Sequence, residues 1–154
     1  MKRTGILNLG LNEAIAAMGH GDLMIVCDAG FPIPEHVKRI DLALVPDIPD
    51  LETTLTAISS EFIAEKFGYA AEMAENNPRL KEKVDRIFAG ADLVTFPHSE
   101  ILTELSHKAK VIVRTGAFDP WGNILLYSGV DVPKWFAKPG TVAPEYYQSR
   151  MKQG

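Results

Sequence analysis

The stretch Gly19-His20-Gly21-Asp22-Leu23-Met24-Ile25-Val26-Cys27-Asp28-Ala29-Gly30-Phe31-Pro32-Ile33-Pro34 decides how this chain folds. Its apolar run, Leu23 to Cys27, is bounded by glycines on one side and a proline-rich turn on the other. Such a run reads as a short strand buried on both faces, the kind found inside an α/β sheet. The two polar ends are then loops, with His20 before the strand and Asp28 after it. Glycines on either side of His20 let the backbone turn sharply and leave the imidazole uncrowded. Asp28 falls at the carboxyl end of the strand, where open α/β sheets collect ligands. The plainer alternative is that His20 merely follows a helix end and Asp28 caps a turn.

Outward from this strand, helical and extended patterns alternate. Leu11, Ala14, Ile15 and Met18 have helical spacing, which predicts a helix over 10–18 stopped by Gly19. Residues 40–45 alternate and predict a second strand. Asp50 is a candidate N-cap for a helix whose stripe is Leu51, Leu55, Ile58 and Phe62, running to about Lys66. A third strand is expected over 69–73. Asn77-Pro78 pairs a capping side chain with proline at the first helical position, and Leu80, Val84, Ile87 and Phe88 continue that helix. Strands are expected at 91–96, 111–113 and 124–127, with a helix over 99–109. This alternation predicts a single α/β/α three-layer domain, residues 1–132, with a largely parallel central sheet and helices on both faces. Beyond Val130, Pro133, Pro139 and Gly140 argue against regular structure. Trp135, Phe136, Tyr146 and Tyr147 are too many aromatics for a purely solvated tail, so residues 133–154 are expected to be an extension that packs across a subunit contact, a disordered end being the alternative.

Bulk properties narrow the function. The chain has 154 residues, 46% of them hydrophobic, and a net charge of -4 without a basic block. Nucleic acid is therefore not an expected partner. There is no membrane-length apolar segment, and the N-terminus lacks both a signal-peptide apolar run and a cleavage site, so a cytoplasmic location is expected. The single cysteine, Cys27, lies within the buried strand and reads as a small hydrophobe. Dinucleotide, phosphate-loop and nucleophile-elbow motifs are all missing. Four histidines occur, His20, His36, His98 and His107, with no pair at the spacing of a helical zinc site, so no metal is expected. His36 and His107 read as surface residues. His98 sits at a strand-to-helix junction, where binding groups gather.

What remains is His20, Asp28, His98 and a turn holding Trp121, Gly122 and Asn123. Imidazole, carboxylate and amide groups hydrogen-bond hydroxyls, and an aromatic face covers the apolar side of a sugar ring. The set suits a small polyhydroxy ligand.

These residues carry a resemblance. Gly19-His20-Gly21-Asp22 with Cys27 to Pro34, Arg39-Ile40-Asp41-Leu42-Ala43-Leu44, Val113-Arg114-Thr115-Gly116, Trp121-Gly122-Asn123-Ile124-Leu125 and Gly129-Val130 resemble the D-ribose pyranase family, a relative of the L-fucose mutarotases. The likeness runs from about Thr4 to Val130. It implies a cofactor-free isomerase that interconverts pyranose and furanose forms, or anomers, of a free monosaccharide, with ribose the first expectation. It implies His20 as proton donor, and Asp28, His98, Trp121, Gly122 and Asn123 as sugar-binding positions. Asp28 would either orient His20 or hold a sugar hydroxyl. It also implies a ring-shaped homo-oligomer, commonly a decamer, with the site near a subunit contact. Trp121 stands where ribose and fucose members usually carry tyrosine, and the His98 to Arg114 interval is about one residue longer than in the ribose members. A fucose-mutarotase-like enzyme for another sugar and a non-catalytic sugar-binding protein are the competing expectations.

Overall fold

The computed structural model describes residues 1–152. Six strands form one sheet in the order β2-β5-β1-β6-β3-β4. β1 (Leu23–Cys27) is central and fully buried, as its apolar run predicts. It pairs in parallel with β5 (Val111–Arg114), which in turn pairs in parallel with the edge strand β2 (Lys38–Asp41). On its other side β1 meets β6 (Ile124–Ser128), the one antiparallel strand, and β6 leads to β3 (Ala64–Ala70) and β4 (Asp92–Phe96). The sheet is therefore largely parallel, with β1, β3 and β4 all pointing their carboxyl ends to the same edge.

Alternation along β1 assigns its side chains to two layers. Met24 and Val26 face a core built with α1 (Leu9–Ala17), α2 (Leu51–Ser59) and α4 (Pro78–Ile87). Leu23, Ile25 and Cys27 face a second core with Ile101, Leu105 and Ala109 of the following helical segment. Leu51, Leu55 and Ile58 are fully buried, and burying side chains of this size stabilises the fold by about 1.5–3 kcal/mol each. Local chemistry starts these helices as expected. The side chains of Asn8, Asp50 and Asn77 accept the backbone N–H groups of Leu11, Thr53 and Leu80.

Four expectations need correction. The strand read over 40–45 is β2, Lys38–Asp41, because only these residues reach β5 and Leu42 onward turns away. The helix read through Lys66 ends at Ser59, where the hydroxyls of Ser59 and Ser60 bond back to the carbonyls of Thr56 and Ala57 and compete with helix continuation. The strand read over 69–73 is Ala64–Ala70, and Met73 opens the short α3 (Met73–Asn76). Pairing with β6 and β4 overrides the helical look of Ala64-Glu65-Lys66. Finally, α7 (Val132–Trp135) forms in the extension despite Pro133, since proline is tolerated in a first helical turn and Asp131 caps it.

The helical segment over 98–108 is continuous but not uniform. It runs as α5 (His98–Glu100), a π turn (Ile101–Leu105) and α6 (Ser106–Lys108). A π turn holds one residue more than an α turn without moving the helix ends, and such turns occur often at functional sites. After α7 the extension returns through α8 (Glu145–Gln148) and a 3₁₀ turn at Arg150–Lys152. Its aromatics pack against one another at a tilt, Phe136 and Tyr146 against Tyr147, with centroids 5.7 and 4.7 Å apart.

Candidate active site

The six residues singled out in the sequence divide between two edges of the sheet. Asp28 follows β1, His98 follows β4, and Trp121, Gly122 and Asn123 precede the antiparallel β6, so all five meet at one edge. His20 precedes β1 and lies at the other. With a rise of ~3.3 Å per residue, the strand between them holds His20 and Asp28 roughly 20 Å apart. Within one chain, Asp28 does not orient His20.

At the carboxyl edge the parts are tightly held. Asn123 is 2% exposed, and its Oδ1 accepts the Asp28 backbone N–H at 3.2 Å. The Asp28 carboxylate accepts the Gly30 N–H at 2.9 Å. Burial raises the Asp28 carboxyl above the ordinary aspartate range, while the Gly30 N–H and Asn123 pull it back. Trp121 packs against both cores and has φ +58°. For a bulky side chain that is a strained conformation, costing about 1–3 kcal/mol and typical of ligand clamps. The Gly122 N–H closes the turn onto Asp119 O at 3.0 Å. The ring of Trp121 meets that of His98 edge-on, centroids 6.4 Å apart. The His98 backbone N–H donates to Glu72, whose place at the end of β3 the sequence did not announce. The His98 ring nitrogen Nδ1 is buried and has no hydrogen-bond partner among the described residues.

The Arg114-Thr115-Gly116 segment braces this edge. Arg114 Nε donates to Ala29 O at 3.0 Å while its Nη1 holds Asp41, and Thr115 Oγ1 donates to Cys27 O at 2.8 Å. Cys27 itself is inert, since burial pushes its thiol up and out of the reactive range. His36 and His107 are exposed and stack on each other at 5.2 Å. Among the described residues, no group of three or more His, Cys, Asp or Glu side chains is placed to hold a metal ion.

The amino edge holds a second, smaller arrangement. Gly19 O accepts the Asp22 N–H, and Gly21 has φ +83°, a turn geometry that favours glycine and projects His20 at its corner. Lys110 Nζ grips Asp22 at 2.6 Å and holds its carboxyl below the usual range. His20 Nε2 lies 2.8 Å from Glu65 Oε2. A carboxylate accepts when ionised, and Nε2 is then the donor and Nδ1 the open ring nitrogen. Glu65 is the extra residue where the β3–β6 register shifts between Ala64 and Lys66. Bulges of this kind re-aim a side chain. Sequence reasoning missed Glu65 because its neighbourhood read as the end of a helix.

A family model described as the RbsD / FucU transport protein family matches residues 1–131. The chain belongs to that family. This RbsD / FucU chain is 57% identical over 150 residues to D-ribose pyranase 2 of Rubrobacter xylanophilus, a match covering 97% of each chain. It is 52% identical over 151 residues to D-ribose pyranase 1 of Streptomyces griseus, covering 98% of this chain and 100% of that one. RbsD of Bacillus subtilis, solved in complex with D-ribose, superposes with a TM-score of 0.80 at 35% identity, over 84% of this chain and 98% of that one. The RbsD / FucU match stops short of the extension, which both of the longer relatives largely share. No helix among the described residues is long and apolar enough to cross a membrane.

Proposed function

We propose that this chain is a D-ribose-pyranase-type isomerase that interconverts pyranose and furanose forms, and anomers, of a free monosaccharide, ribose foremost. The observation that carries the reading is the buried His98 Nδ1 without a protein partner, set beside Trp121 and Asp28. A buried polar atom left unmade is costly, and a sugar hydroxyl is a group of the right size and polarity to complete it. Asp28 accepts a second hydroxyl and Trp121 covers the ring's apolar face. The high identity to proteins named D-ribose pyranase supports ribose over other sugars.

His20 moves the proton. Opening the ring breaks the bond between the anomeric carbon and the ring oxygen. The ring oxygen gains a proton, the anomeric hydroxyl loses one, and an aldehyde results. A different hydroxyl then adds to the aldehyde with the reverse proton movements. An imidazole can give and retake such a proton near neutrality, typically worth ~10²- to 10⁴-fold. Because His20 lies at the opposite edge from Asp28, the complete site takes His20 from a neighbouring copy. That requires a head-to-tail contact, which forms a ring where its rotation closes, a decamer being the size implied by the family resemblance. Exposed Leu44, Ile48 and Phe118 at the carboxyl edge supply an apolar surface for such a contact.

Magnetisation-transfer NMR tests the reading. Catalytic amounts of protein should speed exchange between ribose pyranose and furanose signals, and His20→Ala should abolish it. Saturable ribose binding without enhanced exchange, across ribose, fucose and allose, would replace the isomerase with a non-catalytic sugar-binding protein.

A further inference from the structure

The C-terminal extension ends on the proposed catalytic histidine's support. Arg150 Nη1 lies 2.7 Å from Glu65 Oε2, the same oxygen that receives His20 Nε2 at 2.8 Å. The Glu65 side chain is only 16% exposed and that of Arg150 27%, so the pair is shielded rather than a loose surface contact. Arg150 is itself held from two further sides. Its Nη2 is 3.7 Å from Asp92 Oδ2, and its guanidinium lies over the Tyr147 ring, 6.0 Å from the centroid. Tyr147 in turn packs on Phe136, just past α7, and the chain doubles back to bring the 3₁₀ turn at Arg150–Lys152 home. A cavity of about 420 Å³ lies here, lined by Phe62, Phe88 and Val132 as well as Glu65 and Arg150. Of the aromatics that the sequence assigns to a subunit contact, Tyr147 and Phe136 pack behind this arginine.

We propose that Arg150 is a positioning residue for the isomerase reaction, acting on His20 through Glu65. The inference rests on the reading of His20 as the proton-transfer group. A glutamate on a bulge has three rotatable bonds, and a single hydrogen bond to an exposed imidazole does not hold it. The guanidinium is a planar, always charged donor suited to fixing a carboxylate in one orientation. With Oε2 pinned from the far side, Glu65 presents a fixed acceptor to Nε2, which keeps the His20 ring in one tautomer and one orientation. The matched family region ends at residue 131, so this support comes from the extension and not from the shared domain.

The test compares Arg150→Ala, Arg150→Lys and His20→Ala in the full-length protein, using ribose exchange by NMR with kcat and KM separated, thermal unfolding, and ¹⁵N signals of the His20 ring. Expected for Arg150→Ala is a fall in kcat of about tenfold, the scale of one charge-assisted hydrogen bond. KM should stay within about twofold, because the sugar-binding groups lie at the other edge. Arg150→Lys, which keeps a charged donor, should recover much of the rate. The ring signals should pass from one tautomer in the parent to a tautomeric mixture in Arg150→Ala. Unchanged kcat and ring signals in Arg150→Ala would overturn the proposal. A loss of kcat that Lys does not recover, moving together with KM and thermal stability, would also overturn it and make the arginine a structural clasp. If His20→Ala keeps full exchange, the underlying reading of His20 fails instead.

Discussion

Gly129 lies so close to Glu65 that a Cβ added to the glycine would stand 2.8 Å from the Glu65 Cβ. The end of β6 therefore makes room for the carboxylate that meets His20. The same short segment ties the amino edge together, since Gly129 N–H donates to Ile63 O and Ser128 O accepts the Gly21 N–H. Gly129→Ala should push Glu65 off His20. A misplacement of that order costs up to ~10²-fold in rate, while ribose affinity, read from Trp121 fluorescence, should stay close to that of the parent. A rate equal to the parent's would separate Glu65 from catalysis.

Two-copy sites have a signature in mixed oligomers. His20→Ala and His98→Ala should each be inactive alone. Unfolded together and refolded as a mixture, they should regain exchange activity, with about one site in four holding both intact histidines if head-to-tail pairing is random. No recovery in a mixture that has formed hetero-oligomers would place both histidines in the same copy's site.

Asp28 offers a pH test with a defined sign. Burial raises its carboxyl above the unfolded value, so just above pH 3.8 the native state binds more protons than the unfolded chain. Stability contributed by this group then falls as pH rises through that window, and neutral pH carries the cost of a buried charge. Asp28→Asn removes the cost and keeps an acceptor for Gly30. Its thermal midpoint at neutral pH should equal or exceed the parent's, with a weaker pH dependence between mild acid and neutrality, while ribose affinity falls. A clear loss of stability at neutral pH would contradict this assignment.

Tyr69 provides a structural control outside the groups assigned to the chemistry. It is 1% exposed, and its hydroxyl donates to Asp85 at 2.8 Å; burial first, and then the Asp85 carboxylate, push the phenol up to about 12, against the pull of Lys81. Tyr69→Phe should cost about 1 kcal/mol and lower the melting temperature by about 2–4 °C. Exchange kinetics should be those of the parent, which a rate assay on the purified variant checks.

Much of the framework was legible in the residues because it depends on local physics. The Leu23–Cys27 run read as an interior strand, Asn77-Pro78 signalled a helix start, and the spacing of Leu51, Leu55 and Ile58 marked a buried face. The same strand, being short and extended, already put His20 and Asp28 at opposite ends. The start of β3 was not legible, and the strand was read too late over 69–73, because Ala64-Glu65-Lys66 has no strand preference of its own and is extended only through pairing with β6 and β4.

The partners of the site residues were decided by tertiary structure alone. Glu65 reaches His20 across 45 positions of sequence, through a bulge that no local pattern marks, and Arg150 reaches Glu65 across 85. Glu72 meets His98 only because β3 and β4 lie side by side. Sequence periodicity encodes which face of an element is buried, since that depends on neighbours three or four residues away in a helix and two in a strand. Which side chains meet at a sheet edge depends on strand order and register, and these are settled when the whole core packs. For this chain, the sequence alone determined that a histidine and an aspartate flank one buried strand. Only the packed sheet decided that the histidine leans on Glu65 and that the extension's arginine holds Glu65 from behind.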